Sequence, residues 1–157
     1  MTIRNAVAED RARLGELAEG LVRLHHDLDP ARFLPGEGIG EGYGRWLVKE
    51  SSREGAVVLV AEHDGEVVGY CYGTLEGRNY NDLLDTHGKL HDVFVAAPAR
   101  RLGFARALVL GMAAALTAKG APRVVLDTAV ANEAAQRLFA SLGFRRTMIE
   151  MTREAGP

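Results

Sequence analysis

The densest chemistry in the chain lies in Val93-Phe94-Val95-Ala96-Ala97-Pro98-Ala99-Arg100-Arg101-Leu102-Gly103-Phe104-Ala105, where a β-rich run passes through small residues directly into an alanine- and leucine-rich segment. A strand that turns straight into a helix gathers unpaired backbone N–H groups and the positive end of the helix dipole, which together make a natural anion site. Arg100, Arg101 and Arg106 add mobile positive charge beside it. A pyrophosphate-bearing cofactor is the guest that suits such a turn. The same residues also serve a plain packed turn, with Gly103 allowing close approach and the arginines solvated, and backbone physics alone leaves both open.

The remaining reactive residue types are weaker. His25, His26, Asp27 and Asp29 include metal-ligand types, but successive residues on a helix face different directions, so a solvated helix end is expected and no metal site. His87 and His91 are four apart, yet they fall at a loop-to-strand junction and lack the glutamate of a zinc-protease helix. Cys71 is the single cysteine; it excludes an intramolecular disulfide and a cysteine zinc cluster, and within an apolar strand it is expected to be a buried small residue. A reducing, cytoplasmic setting fits. Met148 and Met151 are expected to be packing residues.

The elements that must position these groups follow from periodicity and punctuation. Leu14, Leu17, Leu21, Leu24 and Leu28 recur at helical spacing, predicting a helix over 8–28 that ends at Asp29-Pro30, where the proline disfavours helical geometry in the residue before it. From Gly36 to Gly44 a glycine stands at every second position. This lowers helix propensity and predicts a mobile surface loop, or a lid over a ligand, leading to a short segment around Trp46 and Val48. Residues 57–62 and 67–75 read as an antiparallel strand pair joined through Asp64-Gly65, a strong hairpin signal. A polar connection over 76–88 leads to a third strand over 90–96. A helix over 103–118, a short strand over 123–127 and a helix from Asn132 follow, the last bracketed by an asparagine N-cap and by Gly143. Residues 144–152 read as a closing strand.

Length and charge narrow the classes further. At 157 residues, 47% hydrophobic and 25% charged, the chain suits one soluble globular domain spanning 1–157. Nineteen basic against 21 acidic residues give a net charge of −2, so there is no global positive field of the kind that holds nucleic acid. The longest apolar run, residues 107–118, would extend about 18 Å as a helix against a hydrocarbon core of about 30 Å, so no membrane span is expected. The first five residues contain no apolar core of a signal peptide.

Arg100-x-x-Gly103-x-Ala105 resembles the Gln/Arg-x-x-Gly-x-Gly/Ala motif of the GCN5-related N-acetyltransferases (GNAT superfamily), and the apolar end of a strand precedes it at the family's distance. Asn132-x-x-Ala135-x-x-Leu138-Phe139-x-x-x-Gly143-Phe144 resembles the family's second signature, about thirty residues further on. The resemblance covers essentially the whole chain. It implies a single α/β (α+β) domain with a mixed, mostly antiparallel twisted sheet flanked by helices, and a splayed strand pair that admits the cofactor. It also implies acetyl-CoA as cosubstrate, no metal, and direct transfer of the acetyl group to a primary amine on a small molecule, protein terminus or lysine. A homodimer is expected by the same resemblance and because symmetric pairs are the commonest oligomers.

Carried over residue by residue, the resemblance implies that the backbone of Val93, Phe94 and Val95 pairs with the pantetheine arm. The N–H groups of Arg101, Leu102, Gly103, Phe104 and Ala105 would hold the pyrophosphate, helped by Arg100 or Arg106. Asn132 would contact the pantetheine or its loop, although a plain helix cap explains it equally well. The family position four residues before Val95 often holds Glu or His, which makes His91 the candidate general base; the alternative is a strand histidine bonded to a neighbour. A base matters because a lysine-like amine with pKa near 10.4 is only about one part in 2,500 neutral at pH 7. By strand alternation His91, Val93 and Val95 share one face while Asp92 and Phe94 share the other, unless a bulge intervenes. The acceptor is expected between the 28–46 region, the 76–88 connection and the His91 face.

One departure stands out. Phe139 occupies the position where the family usually has a tyrosine that protonates the departing thiolate, and it has no proton to give. Water, Tyr70, Tyr72 or Ser141 are the alternatives. The loss also motivates a second possibility, a non-catalytic acyl-CoA-binding regulatory module that kept the cleft without turnover.

Overall fold

The computed structural model describes residues 1–156. Five strands form one sheet in the order β1-β2-β3-β4-β5: β1 is Thr2–Asn5, β2 Ala56–His63, β3 Glu66–Glu76, β4 His87–Val95 and β5 Val124–Leu126. The first four pair antiparallel and β5 joins β4 in parallel, a change of sense that needs a crossover connection. Helix α3, Phe104–Ala118, supplies it; α1 is Arg11–Leu28, α2 Gly40–Ser51 and α4 Glu133–Ser141.

The hairpin forms where the turn chemistry put it. Asp64 and Gly65 take φ of 51° and 83°, the two left-handed residues that a tight hairpin between right-twisted strands requires. Along β2 the side chains then alternate between two cores. Val57, Leu59 and Ala61 face α3, while Ala56, Val58 and Val60 face α1 and α2. Leu108, Met112 and Leu116 of α3 are fully buried in the first core, and Leu14, Leu17, Leu21 and Leu47 fill the second. Burying such a side chain contributes roughly 1.5–3 kcal/mol.

Three expectations change. The glycine run is not a loop throughout: Gly40, Gly42 and Gly44 lie inside α2. A Cβ on Gly44 would stand 2.2 Å from the carbonyl oxygen of Arg11, and one on Gly15 would stand 2.3 Å from that of Gly40. The helices touch backbone to backbone there, and the contact outweighs the low helix propensity of glycine. Residues 144–156 form no strand, and Met148 and Met151 are 84% and 89% exposed rather than packed. Their segment alternates imperfectly, with Met148 on one parity and Ile149 and Met151 on the other, so no single face specifies a register. Strand β1, finally, had no signal beyond its four residues; pairing with residues 59–62 of β2 creates it.

Candidate active site

The core of the site is a bulge in β4. Tyr72 of β3 stands opposite Asp92, but the next residue, Gly73, stands opposite Leu90, so His91 is an extra residue and the alternation resets around it. Leu90 packs into the α3 core, whereas His91 and its neighbour Asp92 both turn toward the α1 and α2 side. The bulge overrides the simple parity that would have set His91 beside Val93 and Val95.

On that side His91 is held from three directions. Its Nε2 lies 2.7 Å from the Thr74 hydroxyl and 3.9 Å from a Glu76 oxygen. Its ring stacks on Tyr72 with centroids 5.0 Å apart. Thr74 donates its single hydroxyl proton to Glu76, so it accepts from Nε2–H, and this leaves Nδ1 as the basic nitrogen. About a third of the imidazole side chain, 35%, stays exposed. Burial pushes its pKa below 6.5, with Lys89 acting in the same direction and Asp92 and Glu76 opposing. The neutral, proton-accepting form is therefore the resting form near neutrality.

Asp92 is buried and accepts from Tyr43 Oη at 2.7 Å and from Tyr70 Oη at 3.1 Å. Loss of water raises its pKa, and the two hydroxyls oppose that rise. Its two partners are both tyrosine hydroxyls. Removing the acceptor altogether with Asp92→Ala strands both hydroxyls and is expected to destabilise the fold by about 2–4 kcal/mol. Asp92→Asn still accepts from both. Because the folded pKa lies above 3.8, the carboxyl contributes most at acid pH, and its contribution falls as pH rises from 3.8 through the folded value. Denaturant midpoints of wild type and Asp92→Asn, measured against pH, should diverge in favour of the variant over that interval.

Tyr72 donates to Glu50 Oε2 at 2.6 Å, and Arg53 Nε donates to the same carboxylate at 2.9 Å. Burial and the Glu50 contact push the Tyr72 hydroxyl up to about 12. Tyr70 is fully buried, with its hydroxyl engaged by Asp92, and the Ser141 hydroxyl donates to the Leu138 carbonyl on the exposed end of α4. Tyr43, Glu50, Thr74 and Glu76 were not anticipated. Tyr43 and Leu47, four apart and followed by Val48, were a faint helical signal masked by the glycines.

The other half of the site is the cofactor side. β5 pairs only with Gly88, Lys89 and Leu90, so the β4 edge from His91 to Val95 is open toward it. This opening contains Val93, Phe94 and Val95 and begins at His91. Beyond it Arg101 and Gly103 take φ of 66° and 88°, and Gly103 leads into α3. First-turn helix amides, here from Phe104 and Ala105 onward, have no intrahelical partner. A free strand edge continuous with a left-handed turn and a helix N-terminus suits a ligand that combines an amide-bearing arm with a pyrophosphate, so the residues present fit acetyl-CoA. Leu102 and Arg106 are exposed beside this turn. Arg100 is turned back: its Nε donates to the Val95 carbonyl at 3.0 Å and its guanidinium lies 5.5 Å from the Phe94 ring centre. Asn132 caps α4 by accepting from Ala135 N–H at 3.1 Å, and Phe139 is buried against Phe144 with ring centres 5.9 Å apart. No group of three or more potential metal ligands occurs among the described residues.

Known proteins resemble this chain along most of its length. The model of the acetyltransferase (GNAT) family matches residues 21–144. An N-alpha-acetyltransferase of Sulfurisphaera tokodaii is 35% identical over 117 residues, covering 71% of this chain and 70% of the relative. Among solved structures, a tetramutant of the BH1408 protein of Bacillus halodurans superposes with a TM-score of 0.84 at 20% identity, covering 99% of this chain and 100% of the other. The aminoglycoside N-acetyltransferase AAC(6')-Iy in complex with CoA superposes with a TM-score of 0.71 at 21% identity, covering 98% and 93%; at these identities the likeness is one of fold. With the family model covering residues 21–144, most of its length, the chain belongs to the acetyltransferase (GNAT) family.

Proposed function

We propose that the protein is an acetyl-CoA-dependent N-acetyltransferase that acetylates a primary amine directly, with His91 as the general base. The observation that carries this reading is the position of His91: the β4 bulge turns it to the α1 and α2 side at the point where β5 ends and the open strand edge begins.

When bound, acetyl-CoA supplies an activated thioester carbonyl. The protein's own residues account for the rest. Nδ1 of His91 takes the ammonium proton of the acceptor, directly or through one water, while Thr74 and Glu76 fix the ring from its other nitrogen. The N–H groups of Arg101, Leu102, Gly103, Phe104 and Ala105 hold the pyrophosphate, and exposed Arg106 adds charge beside them. The backbone of Val93, Phe94 and Val95 pairs with the pantetheine arm, and an N–H near Val95 is placed to polarise the carbonyl. Arg100 keeps the strand end in shape through Val95 and Phe94. Asn132 acts by fixing the start of α4. Phe139 has no proton for the departing sulfur, and an ordinary thiol pKa near 8.5 makes the thiolate a tolerable leaving group without one.

The same reading takes the chain as one domain over 1–157, working as a homodimer in the cytoplasm, with neither nucleic acid nor membrane as partner. The buried free thiol of Cys71, the small net charge, and the finding that no helix among the described residues is long and apolar enough to cross a membrane support the setting and the absence of those two partners; the homodimer rests on the prevalence of symmetric pairs.

Thermal unfolding with acetyl-CoA, against ADP as a phosphate-only control, tests the cofactor half. At about 100 times its Kd a ligand adds roughly 2.7 kcal/mol of stability. Acetyl-CoA is expected to stabilise well beyond ADP, since only a pantetheine arm uses the open strand edge. Equal stabilisation by the two would reduce the site to a generic phosphate cradle, and stabilisation without thiol release on any amine would favour a binding module.

A further inference from the structure

Beside the base lies a cavity that the chemistry above does not use. It measures about 700 Å³ and opens between α1, the loop following it and α2, with walls that include Val22, Leu34, Ile39, Gly42, Tyr43 and Trp46. None of its lining residues is charged, and its walls bring together aliphatic and aromatic side chains. The Tyr43 hydroxyl is already committed to Asp92, so it is not free to recognise a charged ligand. A volume of this order suits an organic group of side-chain size or larger.

A chain of aromatic contacts links the cavity wall to His91. Trp46 stands edge-on to Tyr43 at 5.4 Å and to Tyr72 at 4.9 Å, and Tyr72 stacks on His91 at 5.0 Å. Around the imidazole end the character changes: Glu50 and Glu76 bring carboxylates close to Tyr72 and His91. One end of the site thus carries two carboxylates, that of Glu50 already paired with Arg53, and the other suits an apolar body. A polycation would gain at the first end and would have to strip its remaining charges of water at the second, which is costly without partners.

We propose that this cavity binds the apolar portion of the acceptor, so that the preferred substrate is a primary monoamine carrying a bulky aliphatic or aromatic group a few bonds from the nitrogen, not a polyamine or an amino sugar. The proposal rests on the acetyltransferase reading for its chemistry, and the binding it predicts is readable without turnover. Trp46 is the only tryptophan in the chain and forms part of the wall, so its emission reports occupancy directly.

Gly42 supplies the variant. A Cβ at this position would meet nothing within 4 Å, and replacing a glycine in the first turn of a helix by leucine favours the helix by less than the ~1 kcal/mol of an interior position. Gly42→Leu therefore places a side chain in the cavity beside Tyr43 and Trp46 while α2 remains folded, which the unfolding midpoint verifies.

The experiment titrates 4-phenylbutylamine, ethylamine and spermidine, following Trp46 emission and then thiol release with acetyl-CoA. Wild type is expected to show a saturable Trp46 response to 4-phenylbutylamine at concentrations where ethylamine and spermidine give none. Its kcat/KM for 4-phenylbutylamine should exceed that for ethylamine by about ten- to hundredfold, the range that burial of a phenyl group supports. Gly42→Leu is expected to abolish the Trp46 response and bring that ratio to within about threefold. Spermidine acetylated faster than 4-phenylbutylamine, with Gly42→Leu leaving the ratio unchanged, would overturn the proposal while leaving acetyl transfer intact. A Trp46 response lost in Gly42→Leu but with no thiol release on any amine would uphold the pocket and sink the transferase reading. A flat Trp46 titration in wild type would overturn the pocket.

Discussion

His91→Ala is expected to lower kcat by a factor on the order of 10²–10⁴ while leaving the stabilisation by acetyl-CoA nearly intact. The split follows from placement. The imidazole faces the α1 and α2 side, held by Thr74 and stacked on Tyr72, whereas the turn through Arg101 and Gly103 lies beyond the far end of β4. Loss of the base therefore removes proton acceptance and leaves the phosphate cradle alone. The pH dependence gives a second check. Folded His91 has its pKa pushed below 6.5 by burial, so it stays neutral at pH values where a free histidine is already charged. The acid limb of kcat/KM should fall below pH 6.5 in wild type and vanish in His91→Ala. The stability linkage has the matching sign: the folded state resists protonation, so stability attributable to this group is lost as pH falls below 6.5. Unchanged turnover in His91→Ala would remove it from the mechanism.

The second large effect is structural. Gly44→Ala places a methyl group 2.2 Å from the Arg11 carbonyl oxygen and near the Gly15 backbone, where no rotamer change can relieve the contact. The gain in helix propensity, at most about 1 kcal/mol, is outweighed by forcing two packed helices apart. A net loss of about 3 kcal/mol is expected, or roughly 6–12 °C in Tm for a chain of this size. Gly42→Ala, two residues away with open space around it, should be neutral or mildly stabilising. Differential scanning calorimetry of the two variants makes the comparison, and similar Tm values would show that α1 and α2 adjust freely. Since α2 carries Tyr43, Trp46 and Glu50 to the site, Gly44→Ala should also weaken acceptor binding.

What could be read from the sequence was whatever short-range chemistry decides. The Asp64-Gly65 turn, the Asp29-Pro30 stop, the Asn132 cap with Gly143 beyond it, and the passage from strand through Gly103 into α3 each depend on a few adjacent residues, and each lies where its residue types put it. The strand, turn and helix to which we assign the cofactor were legible for the same reason. The acceptor side was not, because it is assembled from far apart: Tyr43 meets Asp92, Glu50 meets Tyr72, and Thr74 meets His91. The glycines of α2 misled because their cost is local while their benefit lies across the interface with α1. The bulge at His91 left no mark because it is a property of two paired strands. The exposed segment after Phe144 shows the converse, a run with strand-like residues and no sheet edge that claims it.

The strand order carries a consequence for how the chain reaches this structure. Each strand neighbours only its predecessor and successor in sequence, so no strand has to be threaded between two that are already joined. The β2–β3 hairpin closes over a two-residue turn, β4 adds after a short connection, and β5 follows once α3 has crossed. Contacts near in sequence incur less loop-closure entropy and form faster. Only β1 must wait, since its partner on β2 emerges more than fifty residues later. A ribosome releasing the chain from its N-terminus therefore meets the longest closure in the sheet at β1, on the edge opposite β5.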